Sequence, residues 1–394
     1  MDARPSLSYI IFKFAVYSFI MSMRSYVSWG LFSLVNTSMV FGWSGECHSI
    51  IAYIAGSLLD ENESQYLQEL MGWDIGSPDL LREQLVDIAM DADSQLEEWE
   101  QYKYYHYAHA LPSFATPWDK ATMCGHSKNP TVCVVTGIAI WTAKAASISN
   151  TPAERQFAVK MITHLMGDIH QPLHIGLWKD FGGLKIERVW PSYNPYRENK
   201  DYNLHELWDR GLFRHYEVEG IRAGTIPTPP PQDMFLFDSD DESDETPIPD
   251  PGWKFLANEL VASLNETTIA AYKIRDPSRD TRDLSRTSRT IRLPKAIATE
   301  SIHNVRDFAY KNEDGVFISS GSRVSQTYIS SRVEVMKLIL SKAGVRLGDL
   351  LKHIISFSRA AEEAAALAAT LDAAHIDSQS SETSIGEPLV VQDP

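Results

Sequence analysis

From Glu46 onward, apolar side chains return every three or four positions and seldom every second one, which restricts the chain to helices packed on helices. The spacing is plain in His48-Ser49-Ile50-Ile51-Ala52-Tyr53-Ile54-Ala55 and again over residues 80–96. Residues 132–146 and 152–169 read as buried helices. The second opens on Thr151-Pro152, a capping hydroxyl followed by a proline at the first helical position, where its missing N–H matters least. Further helices are expected over 204–213 and 253–272, and a helix pair over 327–354 interrupted at Gly344. Only 184–190 resembles a hairpin arm. The expected class is therefore all-α: a single multi-helix domain with at most one small β-hairpin.

Composition narrows the chemistry. The 394 residues are 44% hydrophobic, enough for a full core, and carry a net charge of −16. Proteins that grip long nucleic acid by its backbone present a basic face. An acidic chain that handles phosphate needs another source of positive charge, and metal ions in a small, deep site supply it.

The first 42 residues read as a cleaved leader: Arg24 precedes the apolar stretch 29–41, which ends in Val40-Phe41-Gly42. Lys13, Arg24 and Asn36 interrupt the longer segment from Tyr9, whereas a membrane span needs about 20 clean apolar residues. A secreted or lumenal protein is expected, with a retained N-terminal anchor at the cell surface as the alternative. Of three cysteines, Cys124 and Cys133 are close enough to close a small loop by a disulfide, leaving Cys47 as the odd one out. Asn62-x-Ser64 and Asn265-x-Thr267 are sequons for glycosylation in such a chain.

The expected helical domain covers 43–355. A proline-rich, acidic stretch over 226–251 reads as a disordered insertion, and the tail over 356–394 as helical and then, after about Thr370, polar and disordered. Arg275, Arg279, Arg282, Arg286 and Arg289 recur at helical spacing. They form either a solvated loop pairing with Asp276, Asp280 and Asp283 or a phosphate-contacting stripe.

The chemistry lies in histidines and aspartates. His164-x-x-x-Asp168 and His205-x-x-x-Asp209 each place an imidazole and a carboxylate one turn apart on a helix face. His174 follows Pro172, where the first of these helices must end; His48 and His106 come earlier. Imidazole nitrogen and carboxylate oxygen are common zinc ligands, and a carboxylate can bridge two ions. One such pair is ordinarily a hydrogen-bonded pair and nothing more; two pairs on separate helices, with further histidines, point to a metal site.

The segments His164-Leu165-Met166-Gly167-Asp168-Ile169-His170-Gln171-Pro172-Leu173-His174 and Asn203-Leu204-His205-Glu206-Leu207-Trp208-Asp209 resemble the signature of the zinc-dependent single-strand nucleases and 3'-nucleotidases. The likeness continues in Trp43 to His48, His106-Tyr107, Cys133-Val134-Val135, Asp180-x-Gly182-Gly183 and Ala343-Gly344-Val345-Arg346-Leu347. It fades between Arg214 and Gln326.

The resemblance implies a trinuclear zinc cleft. One zinc would take Asp93, His106, His164 and Asp168. A second would take Trp43, through its α-amino group and carbonyl, with His48 and the bridging Asp168. The third would take His174, His205 and Asp209. Only cleavage after Gly42 frees the Trp43 amine, which accounts for the leader. Asp91, in Asp91-Ala92-Asp93, is a rival for Asp93. Asp168, Asp93 and His106 are the expected catalytic residues. Tyr107 is expected to stack on a base, with plain core packing as its alternative role. Implied partners are single-stranded DNA or RNA and 3'-nucleotides, the protein acting as a monomer without stable membrane insertion. The chain departs from the family at Cys47, Leu96, His109 and Leu184. Alternatives are a trizinc phospholipase C, which has a similar ligand set, and a member that binds zinc or nucleotide without turnover.

Overall fold

The computed structural model describes residues 43–94, 100–124, 131–191, 201–228, 252–274 and 286–382. The leader, most of the acidic insertion, Leu96 and the first three stripe arginines, Arg275, Arg279 and Arg282, lie outside the described residues.

Helices carry the fold, and local sequence starts and stops them. Asp60 accepts a hydrogen bond from the Glu63 amide while the Glu63 carboxylate accepts one from the Asp60 amide, opening helix Glu61–Met71. Gly72, at φ 68°, closes that helix in the left-handed conformation that glycine adopts without penalty. Thr151 and Glu154 make the same reciprocal cap for helix Pro152–Asp168, with Pro152 at its start. Asn203 and Glu206 repeat it at the turn Leu204–Glu206.

Helix Gly45–Gly56 is the central element. Nine of its residues, from Cys47 to Gly56, are buried. It packs against the long helix Gln326–Glu382, helix Pro78–Asp87 and helix Gly252–Ser263. Helix Pro152–Asp168 lies along Val134–Ala146, which in turn meets Arg286–Asn304. Its last two turns are wholly buried, so its functional end sits inside the bundle.

Four sequence expectations are corrected. Gly344 does not interrupt a helix pair, because Gln326–Glu382 is one continuous helix. A side chain at Gly344 would stand 2.5 Å from Ile54 Cβ, so this glycine is there to let the long helix approach helix Gly45–Gly56. The long helix also runs to Glu382, beyond Thr370, carried by the alanine- and glutamate-rich run from Ala360, whose residues favour helix. Residues 253–272 form two helices, Gly252–Ser263 and Glu266–Tyr272, because Asn265 caps the second by accepting from the Thr268 amide. Of the expected hairpin arm, only Trp190 is in a strand: Trp190–Pro191 pairs antiparallel with Asp201–Tyr202. The preceding chain is held in turns, with positive φ at Gly182, Gly183 and Arg188. The described residues are all-α with this one two-stranded ribbon. Among the described residues no helix is long and apolar enough to cross a membrane.

Candidate metal centre

Five separated pieces of chain converge inside the bundle. Helix Gly45–Gly56 brings His48; Asp91–Ser94 brings Asp93; the segment after Glu100–Tyr105 brings His106. Helix Pro152–Asp168 and the turn Pro172–Ile175 bring His164, Asp168 and His174. The fifth piece runs from Leu204 through a π-helical turn, Leu207–Gly211. That widened turn carries Asp209 beneath His205, a distortion often found where a helix serves a site.

The side chains gather into three groups whose donor atoms lie within 4.8 Å of one another: His48, His164 and Asp168; Asp93, His106 and His164; His174, His205 and Asp209. The first two share His164. Asp168 Oδ2 is 2.9 Å from His106 Nδ1 and 3.2 Å from His164 Nε2. Its Oδ1 is 3.5 Å from His48 Nε2 and 3.6 Å from His174 Nδ1. Each oxygen of this one carboxylate therefore faces a different pair of imidazoles. Asp93 Oδ1 lies 3.3 Å from His164 Nε2 and 3.5 Å from His106 Nδ1. His205 Nε2 lies 3.3 Å from Asp209 Oδ2.

Burial without hydrogen bonding makes the first two groups unusual. Both ring nitrogens of His48 and His106, Nε2 of His164, and both carboxylate oxygens of Asp93 and Asp168 are shut off from solvent without an aligned hydrogen bond. A buried polar atom left so is costly, and a cluster of them calls for a partner that the side chains do not supply to one another. A divalent cation is such a partner for nitrogen and oxygen donors.

The outward sides of the rings are anchored. His164 Nδ1 is 2.9 Å from the Ala89 carbonyl, His174 Nδ1 2.6 Å from that of His106, and His205 Nδ1 2.7 Å from that of Gly182. An imidazole whose Nδ1–H donates to a carbonyl presents its Nε2 lone pair on the other side. The Gly182 carbonyl is in turn held by the Gly182-Gly183 turn, where Asp180 accepts from the Gly183 amide and from the Tyr310 hydroxyl. Gln171 donates to Asp209 and accepts from the Leu173 amide, tying the third group to the His174 turn.

Electrostatics follows from crowding. Burial disfavours charge on His164, but the facing carboxylates of Asp168 and Asp93 outweigh it and hold its pKa well above the ordinary value. Burial likewise opposes ionisation of Asp168, yet His164, His174 and His106 keep its carboxyl well below the usual range. His48, buried and beside His164, is pushed down to about 4. Burial, and then Asp168, push Asp209 well above the carboxylate range despite the Gln171 bond.

All eight side chains expected from the sequence meet here, and Trp43 is fully buried with its neighbour Ser44 donating to the Asp209 carbonyl at 2.9 Å. Asp91, the rival, instead pairs with Lys160 at 2.7 Å. Cys124 and Cys133 form a disulfide. Cys47 is a buried free thiol whose pKa burial raises above the usual thiol range. Tyr107 is half-buried, its hydroxyl pushed up to about 12 by burial, and it lies 5.4 Å from the His109 ring. Sequence reasoning missed the roles of Gln171, Gly182 and the Ala89 carbonyl. The position of Gln171 between two histidines of the motif was the available signal.

The S1/P1 nuclease family model matches residues 43–356, the whole of the site and the helices that carry it. The chain belongs to the S1/P1 nuclease family. Endonuclease 1 of Arabidopsis thaliana is 25% identical over 343 residues, covering 85% of this chain and 94% of that protein. Endonuclease 2 of the same plant is 26% identical over 343 residues, covering 83% and 94%. Nuclease S1 of Aspergillus oryzae is 27% identical over 184 residues, covering 46% of this chain and 58% of that protein. As an S1/P1 nuclease the protein is a hydrolase acting on phosphodiester bonds, with nucleic acid as substrate.

Proposed function

We propose that the chain is a secreted, monomeric zinc endonuclease of single-stranded DNA or RNA that also hydrolyses 3'-nucleotides, cutting the P–O3' bond to leave 5'-phosphates. The observation that carries this reading is the convergence of hydrogen-bond-poor, buried donors on adjoining points. Their spacing supports zinc. Two ligands at about 2.05 Å from a tetrahedral ion stand about 3.3 Å apart. The nitrogen–oxygen gaps His164–Asp168, His164–Asp93 and His106–Asp93, at 3.2, 3.3 and 3.5 Å, match that separation better than a direct charge-assisted bond of about 2.8 Å, with His106–Asp168, at 2.9 Å, the closer exception.

Asp93, His106, His164 and Asp168 would hold one zinc; Trp43, His48 and Asp168 a second; His174, His205 and Asp209 a third. Bound zinc would supply positive charge for the phosphate and acidity for water at the cleft, which a chain of net charge −16 otherwise lacks. Asp168 commits one oxygen to each side and so ties the groups together. The carbonyl-anchored histidines keep their inward Nε2 nitrogens aimed without rearrangement, the condition for charge stabilisation during phosphoryl transfer. Tyr107 would take an unpaired base by stacking. The family match favours a nuclease over a phospholipase.

The mature chain would begin at Trp43, the residue at which the family match starts. N-terminal sequencing with zinc analysis should give Trp43 and about three zincs per chain. Chelation should abolish hydrolysis of single-stranded DNA and of 3'-AMP, zinc should restore both, and Asp168→Asn should be nearly inactive. Full activity after exhaustive metal removal would refute the reading.

A further inference from the structure

The turn Trp178–Asp180 and the residue after it present two large aromatic rings to solvent: Trp178 is 49% exposed and Phe181 43%. Exposed aromatics this close together in a folded surface call for an occupant. Their place is specific. The turn joins His174 to Gly182, whose carbonyl anchors His205, so it hangs from the third ligand group on both sides.

The rings are fixed. Trp178 makes edge-on contacts with His109 at 4.5 Å and with Phe181 at 5.6 Å. His109 in turn lies 5.4 Å from Tyr107, so Tyr107, His109, Trp178 and Phe181 form one aromatic file leading outward from the centre. Phe181 holds φ 52°, a left-handed conformation rare for a bulky side chain and maintained by its surroundings. Cations border the file: Lys185 Nζ stands 4.1 Å over the Phe181 ring, and Lys179, next to Trp178 in the chain, is exposed. In a chain of net charge −16, that local basic border complements a phosphate backbone.

We infer that Trp178, backed by His109 and Phe181, is a second stacking platform, which holds an unpaired base of the substrate strand beyond the base at Tyr107. Lys185, over the Phe181 ring at the outer end of the file, meets the phosphate on the far side of the base at Trp178. The Tyr107 and Trp178 rings lie within about 10 Å of each other. Stacked nucleotides advance about 3.4 Å per step, so the two platforms are at most about three steps apart. The inference rests on the single-strand nuclease reading. It adds that strand length is sensed by stacking on Trp178, and that a mononucleotide does not use this ring.

The test compares thymidine octanucleotide with thymidine 3'-monophosphate as substrates of the zinc-loaded enzyme and of Trp178→Ala and Trp178→Phe. Loss of one stacked base corresponds to roughly a 5- to 150-fold effect. Trp178→Ala should raise KM for the octanucleotide, relative to that for the mononucleotide, by about that factor, and Trp178→Phe should recover most of it. Binding of a phosphorothioate octathymidylate should quench the fluorescence of the natural protein more than that of Trp178→Phe. An unchanged KM ratio in Trp178→Ala, or equal loss on both substrates, overturns the inference while leaving the nuclease reading intact. Failure of the natural enzyme to cleave the octanucleotide overturns the underlying reading instead.

Discussion

Gly167→Ala should cripple the enzyme while leaving it folded, and the structure gives the reason in ångströms. Gly167 precedes Asp168 on a buried turn, and a Cβ there would stand 2.6 Å from ring atoms Cε1 and Nδ1 of His48, where ordinary contact begins near 3.4 Å. The imidazole must therefore give by about 0.8 Å. It has little room, because the ring is already stacked on His164 at 4.0 Å with the planes 11° apart, and rings in contact already need about 3.5 Å. The two rings must slide or tilt together, and both face Asp168, at 3.5 and 3.2 Å. Overpacking of this size costs about 1–3 kcal/mol of stability. A misplacement near 1 Å costs about 100-fold in rate. The assay is kcat/KM on single-stranded DNA alongside a thermal melt and zinc analysis. A melt lowered by several degrees with activity down roughly 100-fold fits the argument. Activity within two-fold of the natural enzyme would show that the His48–His164 stack yields freely, and the geometric reasoning would fail.

Three further outcomes follow from the same structure. Gly344→Ala should destabilise the fold by about 1–3 kcal/mol, because its Cβ would meet Ile54 Cβ and Cγ2 at 2.5 Å; urea unfolding unchanged from the natural protein would contradict the close helix approach. Glu300, against Arg346 and Lys342 in a pocket shared with His170, has its carboxyl held below the ordinary range: burial opposes this, and the Arg346 guanidinium outweighs it. A depressed carboxylate stabilises the fold above its unfolded pKa near 4.3 and loses that contribution as pH falls through the folded value. Glu300→Gln should then cost about 2–3 kcal/mol at neutral pH, allowing for partial exposure, and the gap between variant and natural protein should close below about pH 4; a pH-independent gap contradicts the ion-pair argument. Gln171→Leu should leave Asp209 without its side-chain donor and lower activity by about 10- to 100-fold with little change in melting, as measured by initial rates.

How much of this was legible beforehand depends on whether a residue acts through its identity or through contacts made far along the chain. The pairs His164/Asp168 and His205/Asp209 were legible as shared faces because one-turn His–Asp spacing fixes that whatever the tertiary fold. Thr151-Pro152 was legible because capping is local, and helix Pro152–Asp168 begins where those two residues require. Gly344 was misread because glycine's local meaning, a helix breaker, is opposite to its use here: its role comes from Ile54, a partner nearly 300 residues earlier. Asp93 and Asp91 were indistinguishable by spacing, and the choice became clear only when Lys160 was found on one and His106 with His164 on the other. The anchoring carbonyls of Ala89, His106 and Gly182 carry no sequence signature at all, since every residue has a carbonyl.

That contrast bears on how such a site tolerates change. The donors that face inward are fixed by residue type, whereas the groups that aim them are mostly backbone, supplied by whatever residue stands at that point. Side chains in the supporting positions can therefore drift while the imidazoles stay aimed, and the departures at Cys47, His109 and Leu184 fall outside the three ligand groups. Cys47 is fully buried on the first helix and His109 braces Trp178, yet neither is among the three ligand groups. Divergence at about 25% identity can thus retune how a strand is held at the rim without disturbing the buried centre. If the proposed stacking file holds the strand, a graft of Tyr107, His109, Trp178 and Phe181 into a relative should transfer preference for strand length and leave zinc content untouched.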